Sequence, residues 1–206
     1  MNELPQSSET WMARWRRIAR RIRVPLGFAA AGVYLWRLLH ATPVPLAILA
    51  SLALVLPGLW LRGYAAGYVK KNQELTQTGP YAYTRNPLYL GSILIAAGFA
   101  VALTSVVFAL LLAAGFVLIY VPVIAGEEEF LRKTFSDYAA YCQRVPRLLP
   151  RIFPTGETSD APRSSEGTFS FALYRRHREY RSALGAAVLY ASLLASLLGH
   201  LHLLHR

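Results

Sequence analysis

Long apolar blocks bounded by charged residues set the pattern of this chain. The longest block lies between Arg85 and Glu127, where residues 86–126, 41 in all, carry no charged side chain. An α-helix needs about 20 apolar residues to cross a bilayer, so this block has about twice the length of one spanning helix. We therefore predict a hairpin of two spanning helices that turns near Thr104-Ser105.

Shorter apolar blocks predict three further helices. Residues 24–39 and 46–61 are separated by the helix-breaking sequence Thr42-Pro43-Val44-Pro45, and residues 183–198 form a last segment of marginal spanning length. The predicted fold class is all-α: an integral membrane bundle of about five transmembrane helices, with a central helical hairpin and a cytoplasmic pocket.

Polar stretches divide the chain into four parts. Six arginines lie between positions 14 and 23 among tryptophan and isoleucine, a spacing that predicts an amphipathic helix on a membrane surface. Residues 62–84 read as a polar re-entry segment, and 127–141 as a helix leaving the bilayer. The predicted parts are 1–23 (polar tail and basic helix), 24–62 (two transmembrane helices), 63–154 (core) and 155–206 (linker, basic helix and additional transmembrane helix).

Composition favours a membrane protein and argues against nucleic acid. The chain is 54% hydrophobic and only 16% charged, against about 25% in soluble domains. Its net charge is +11, but the basic residues flank apolar runs instead of interleaving with aromatics on a polar domain. With the N-terminus in the cytoplasm and five helices threaded, 20 of the 22 Lys and Arg fall on the cytoplasmic side.

A hairpin with two spanning arms begins and ends on the same face of the membrane. Arg85 and Asn86 therefore return level with Glu127 and Glu128. Ionisable groups beside an apolar membrane wall are functional candidates by default. The alternative is that they cap helix ends or form a surface salt bridge, which contributes only about 0–1 kcal/mol.

The order of these residues resembles a known signature. Arg85-Asn86-Pro87-Leu88-Tyr89, an apolar hairpin and then Glu127-Glu128 are similar to the cofactor signature of the isoprenylcysteine carboxyl methyltransferases and the related phospholipid N-methyltransferases. Asn86 departs from the pattern, in which His is frequent, and Ser136 stands where Gly is usual. The resemblance covers about 70 residues and continues through Leu131, Phe135, Tyr138, Tyr141 and Arg144-Val-Pro-Arg-Leu-Leu-Pro150.

The resemblance implies an integral membrane enzyme that uses S-adenosylmethionine. The sequence has no glycine-rich turn between a strand and a helix, so side chains would have to hold the cofactor. Arginine can bind its carboxylate, glutamate its ribose or ammonium, and tyrosine faces its sulfonium. The candidate catalytic residues are Arg85 and Glu128. The candidate cofactor-binding residues are Tyr81, Arg85, Asn86, Pro87, Tyr89, Glu127, Glu128 and Tyr141.

The expected acceptor is lipidic and arrives sideways from the bilayer. An isoprenylcysteine-like carboxylate and a phospholipid amine both remain open, as do the oligomeric state and whether Arg85 holds cofactor or acceptor. A NADPH-dependent membrane reductase and a non-enzymatic scaffold are the alternative functions. The single Cys142 cannot build a metal site, and His200, His202 and His205 read as terminal residues and not as metal ligands.

Overall fold

A computed structural model describes residues 7–70, 74–153 and 167–204, and all regular structure in these residues is helical. The predicted all-α class is confirmed. A 3-10 turn, Gly79–Ala82, precedes the hairpin, and a π-helical turn, Phe116–Tyr120, joins α4 and α5. The helices are α1 (Ser7–His40), α2 (Pro45–Tyr68), α3 (Pro87–Ala102), α4 (Val106–Gly115), α5 (Val121–Thr134), α6 (Tyr138–Arg144), α7 (Phe171–His177) and α8 (Tyr180–Leu204).

Among the described residues, three helices are long and apolar enough to cross a membrane. They are Pro45–Tyr68, the continuous helix Val106–Thr134 and Tyr180–His202, and the 16-residue α3 is a shorter apolar helix beside them. A membrane-embedded helical bundle therefore accounts for the pattern of the sequence.

The predicted hairpin turn is confirmed. α3 ends at Ala102 and α4 begins at Val106, and Thr104 between them takes a left-handed backbone with φ of 48°. The Ser105 hydroxyl caps α4 by accepting a hydrogen bond from the Phe108 amide at 3.2 Å. One tight, capped turn thus reverses the direction of the chain between the two apolar helices.

Two predicted helix boundaries are wrong at the N-terminal side. Residues 11–23 and 24–39 form one helix, α1, because a single internal proline, Pro25, does not end it. α2 continues through Arg62 to Tyr68, so the polar re-entry segment is shorter than predicted. The side chains of residues 7–17 lie outside the part that the structure describes, as do residues 1–6 and most of the predicted linker.

The helix predicted from 127 to 141 is interrupted. α5 ends at Thr134, Phe135 is extended with φ of −121° and ψ of 119°, and α6 begins at Tyr138. This break turns α6 towards the 3-10 turn, where the Tyr141 hydroxyl donates to the Tyr81 carbonyl at 2.8 Å. The apolar stripe that suggested one helix instead packs as a small core.

The C-terminal helix is part of the central core. Tyr34 of α1, Val55 of α2, Phe99 of α3 and Leu193 of α8 are buried together in one apolar cluster. The buried Ser51 hydroxyl donates to the Ile48 carbonyl and hydrogen-bonds the Tyr190 hydroxyl, each at 2.6 Å. α8 therefore packs against the same helices that carry the hairpin.

Aromatic rings from the α7 region cover the glycines of α2. The Phe169 ring lies over Gly67, where a Cβ would fall 2.2 Å from it, and the Tyr174 ring lies 3.4 Å from a Cβ at Gly63. The Ser170 amide also donates to the Gly67 carbonyl at 2.9 Å. These two glycines of α2 therefore allow the aromatic rings to pack closely on the helix.

α2 packs closely against α3 at Gly91. A Cβ at Gly91 would lie 2.7 Å from the Gly58 carbonyl oxygen, a backbone atom that cannot rotate away. We expect Gly91→Ala to destabilise the bundle by about 1–3 kcal/mol, as overpacking does. Apparent melting temperature in detergent measures the effect. Gly115→Ala is the matched control, because nothing lies within 4 Å of a Cβ there, and an equal loss in both variants would contradict the prediction.

Candidate functional site

The hairpin brings the predicted guanidinium and carboxylate together. Arg85 precedes α3, Glu128 lies in α5, and Arg85 Nη1 is 3.3 Å from Glu128 Oε1. Their side chains are only 15% and 17% exposed, so this pair is more than a solvated surface contact. The predicted juxtaposition of these two residues is confirmed.

A second arginine, which the sequence reasoning did not assign to the site, binds the same carboxylate. Arg147 Nη2 lies 3.1 Å from Glu128 Oε2, and Arg147 Nε donates to Glu128 Oε1 at 3.1 Å. Glu128 is therefore ion-paired with two guanidiniums at once. Arg147 stood in the quoted sequence signature, but nothing in its spacing indicated which way its side chain would point.

Two segments outside the helices hold these arginines side by side. The Arg85 amide donates to the Pro146 carbonyl at 2.9 Å, and the Arg151 amide donates to the Tyr83 carbonyl at 3.0 Å. The buried Thr84 hydroxyl donates to the Leu148 carbonyl at 3.0 Å. The chain before α3 is thus fixed to the chain after α6.

Asn86 and Pro87 complete the start of α3. The Asn86 side-chain amide donates to the Arg147 carbonyl at 2.8 Å, which adds a further link between the two segments. Pro87 is buried at the first position of α3, where a missing amide hydrogen is harmless. The Leu90 amide donates to the Asn86 carbonyl at 3.0 Å, which closes the first turn of α3.

Arg85 also contacts the single cysteine. Its Nη1 lies 2.8 Å from Cys142 Sγ, and its Nε is buried without a hydrogen-bond partner. Burial, the largest single cause, lowers the pKa of Arg85, but Glu128, Cys142 and Tyr138 together outweigh burial, so the pKa rises above its ordinary value. Arg85 stays cationic and keeps one unused donor.

Glu127 lies beside an aromatic row. The Tyr89 hydroxyl donates to Glu127 Oε1 at 3.0 Å. The Tyr89 and Tyr120 rings meet edge to face at 5.5 Å, and Phe116 stacks on Tyr120 at 5.1 Å. Phe116 and Tyr120 belong to the π-helical turn, a deviation frequent at functional sites. Tyr120 lies seven residues, about two helical turns, before Glu127. In the sequence, this spacing was the signal that could have placed Tyr120 on the same helix face as Glu127.

Buried tyrosines form the wall behind these polar groups. Tyr81, Tyr138 and Tyr141 are all buried, and Leu131 packs against the cluster that Tyr138 and Tyr141 form with Val145. Burial is the main cause that raises the pKa of each of the three phenols. They stay neutral, and Tyr141 supports the site by holding the Tyr81 carbonyl.

A second ion pair, between Arg62 and Glu179, contacts the start of α3. Arg62 donates to both carboxylate oxygens of Glu179, through Nη2 at 2.9 and 3.1 Å and Nε at 3.1 Å. Arg62 also donates to the Leu88 carbonyl at 3.3 Å and to the Ser92 hydroxyl. This network fixes the start of α8 to the first turns of α3. Its two contacts on α3, Leu88 and Ser92, come before and after Tyr89 in the sequence.

Fold and site together define a class of protein: a helical membrane protein with an ion-paired polar cluster where both arms of a hairpin end. Among the described residues, no group of three or more His, Cys, Asp or Glu could hold a metal ion. The sequence model of the phospholipid methyltransferase family matches residues 45–138, which contain α2, the hairpin, Arg85, Glu127 and Glu128. This match confirms the resemblance to the phospholipid methyltransferases over that part of the chain.

Two curated bacterial proteins are similar to part of the chain. The cobalt-zinc-cadmium resistance protein CzcN of Cupriavidus metallidurans is 36% identical over 94 residues, and the nickel-cobalt-cadmium resistance protein NccN of Alcaligenes xylosoxydans xylosoxydans is 35% identical over 94. Each alignment covers 46% of this chain and 43% of the relative, so the chain spans less than half the length of these relatives. No solved structure matches the chain.

Proposed function

We propose that the chain is a membrane-embedded methyltransferase that uses S-adenosylmethionine and acts on a lipidic acceptor. The observation that carries the proposal is the position of Glu128. Its carboxylate lies between Arg85 and Arg147 at the mouth of an apolar hairpin, next to Glu127 and a row of aromatic rings. The family match over residues 45–138 supports methyl transfer as the chemistry.

The donor set fits the cofactor. The unused, buried Nε of Arg85 is available to an anionic group such as a carboxylate. Glu127 can accept from hydroxyls or an ammonium, and the faces of Tyr89 and Tyr120 suit a cationic sulfur. When bound, S-adenosylmethionine would supply an electrophilic methyl group. Asn86, Pro87, Tyr81 and Tyr141 belong to the proposal as residues that shape and support this site.

The two glutamates have different tasks in this proposal. Glu128 is ion-paired with two arginines and serves to hold the cations in place. Glu127 accepts from the neutral Tyr89 hydroxyl, so it is the group able to take a proton from an amine acceptor. A carboxylate acceptor is already nucleophilic and needs only alignment in a site shielded from water.

The bilayer supplies the acceptor in this proposal. Both arms of the hairpin are apolar, so a lipid tail can remain among them while its headgroup meets the site. The excess of basic residues around the mouth supports a cytoplasmic site and a cytoplasmic N-terminus. The names of the two relatives concern metal resistance, and we infer that any such role here would act through the methylated product.

Binding and turnover test the proposal on the detergent-purified full chain. We expect S-adenosylmethionine, and not NADPH, to raise the apparent melting temperature. Arg85→Ala should weaken that binding at least tenfold, whereas Arg175→Ala on α7 should not. Incubation with methyl-labelled donor and lipid extract should place label in a lipid. Stabilisation by NADPH would favour the reductase, and no response to either cofactor would favour the scaffold.

A further inference from the structure

A short run of large apolar side chains is exposed beside the site. Leu149, Ile152 and Phe153 follow α6 and are 78%, 88% and 78% exposed. Single exposed apolar residues are ordinary on protein surfaces, but three within five positions make a contiguous patch. We therefore expect a partner to cover the 149–153 segment.

Backbone hydrogen bonds fix the level of this segment in the molecule. The Arg151 amide donates to the Tyr83 carbonyl at 3.0 Å, and the Thr84 hydroxyl donates to the Leu148 carbonyl at 3.0 Å. Residues 83–86 lead directly into α3, whose apolar run begins at Pro87. The 149–153 segment thus lies at the level where that apolar arm begins, which in a membrane-embedded bundle is the boundary between hydrocarbon and water.

The charge around the segment is positive. Residues 138–153 contain Arg144, Arg147 and Arg151 and no Asp or Glu. Tyr83, an aromatic residue of the kind enriched at membrane interfaces, is 37% exposed next to them. Basic residues interleaved with large apolar ones are typical of segments that lie in the interface of an anionic leaflet.

We propose that the 149–153 segment is an interfacial anchor that inserts Leu149, Ile152 and Phe153 among the headgroups of an anionic leaflet. The exposed Arg151 then faces the lipid phosphates, whereas Arg144 donates to the Gln77 side chain at 3.2 Å. Because Arg147 of the same stretch binds Glu128, the anchor holds one wall of the site against the bilayer. The inference concerns a lipid surface and does not depend on methyl transfer.

An environment-sensitive label tests the anchor in the full chain. In bilayer discs of phosphatidylcholine and phosphatidylglycerol, the Cys142→Ser background receives Ile152→Cys or Gln143→Cys, each carrying a nitrobenzoxadiazole dye. Gln143 is the control because it is exposed on α6 and polar. We expect blue-shifted emission and at least twofold quenching by headgroup-region nitroxide lipid at 152. At 143 we expect the emission of a dye in water.

Water-like emission without quenching at 152 would overturn the anchor. Photolabelling of the unmodified chain with a lipid-borne diazirine gives an independent result that needs no substitution. Label on 149–153 supports the anchor, and label confined to the spanning helices contradicts it. Cross-linking of Ile152→Cys that increases with protein concentration would assign the patch to a second copy of the chain and would also overturn the proposal.

Discussion

Glu128→Gln is expected to reduce methyl transfer about 100-fold, which corresponds to about 2.7 kcal/mol of transition-state stabilisation. The neutral amide leaves Arg85, whose side chain is 15% exposed, and Arg147, whose side chain is 42% exposed, without their shared anion. Removing one partner of a buried ion pair leaves the other charge uncompensated, and here that charge is the largely buried Arg85. Both guanidiniums should turn away, and the site should lose its shape for donor and acceptor together.

Glu129→Gln is the matched control for that variant. Glu129 is the next residue on the same helix, 41% exposed, and its ion pair with Lys133 is an ordinary i, i+4 surface contact. Initial rates with methyl-labelled donor, together with equilibrium binding of S-adenosylmethionine, measure both variants. Equal rates for Glu128→Gln and the unsubstituted chain would remove Glu128 from the site, and equal losses in both variants would show a general effect of acid removal.

The juxtaposition of Arg85 and Glu128 followed from the sequence because only a hairpin fits a charge-free stretch of this length. The prediction rests on the length of the charge-free stretch and does not depend on the details of its side chains. The turn near Thr104-Ser105 was predictable for the same reason, since the two arms must be of comparable length. The order of the motif then added the expected chemistry.

The remaining part of the site depends on contacts between segments distant in the sequence. Arg147 reaches Glu128 because the Arg85 amide pairs with the Pro146 carbonyl, and no local pattern encodes that pairing. The break at Phe135 was hidden because the apolar stripe of 127–141 continues across it at helical spacing. Tertiary packing of Tyr138 and Tyr141 against the turn at 79–82 decides the geometry there.

The C-terminal boundary of α2 depends on a residue that is distant in the sequence, so the local pattern did not predict it. Arg62 looked like the end of a spanning segment because an isolated charge is unfavourable within an apolar helix. Glu179, 117 residues away, neutralises it, and the helix continues to Tyr68. Glu179 lies outside the matched residues 45–138, so the C-terminal part of this chain supplies a contact to the matched part.

Separate substitutions of Arg62 and Glu179 are expected to destabilise the protein strongly, and the double substitution much less. The pair is bidentate, with side chains 22% and 13% exposed, so Glu179→Leu or Arg62→Met leaves a poorly solvated charge. Each change alone should lower stability by about 2–4 kcal/mol. The double variant Arg62→Met, Glu179→Leu should recover most of that loss, because apolar residues of similar size can replace a buried pair.

Apparent melting temperatures of the four proteins in one detergent give the coupling between the two positions. Glu74→Gln is the control, because its pair with Lys70 is exposed to 36–37% and should contribute no more than about 1 kcal/mol. Additive losses in the double variant would show that each side chain acts through other partners, such as the Ser92 hydroxyl for Arg62. Recovery in the double variant would instead show that Arg62 and Glu179 act as one unit, which joins α8 to the helices that carry the site.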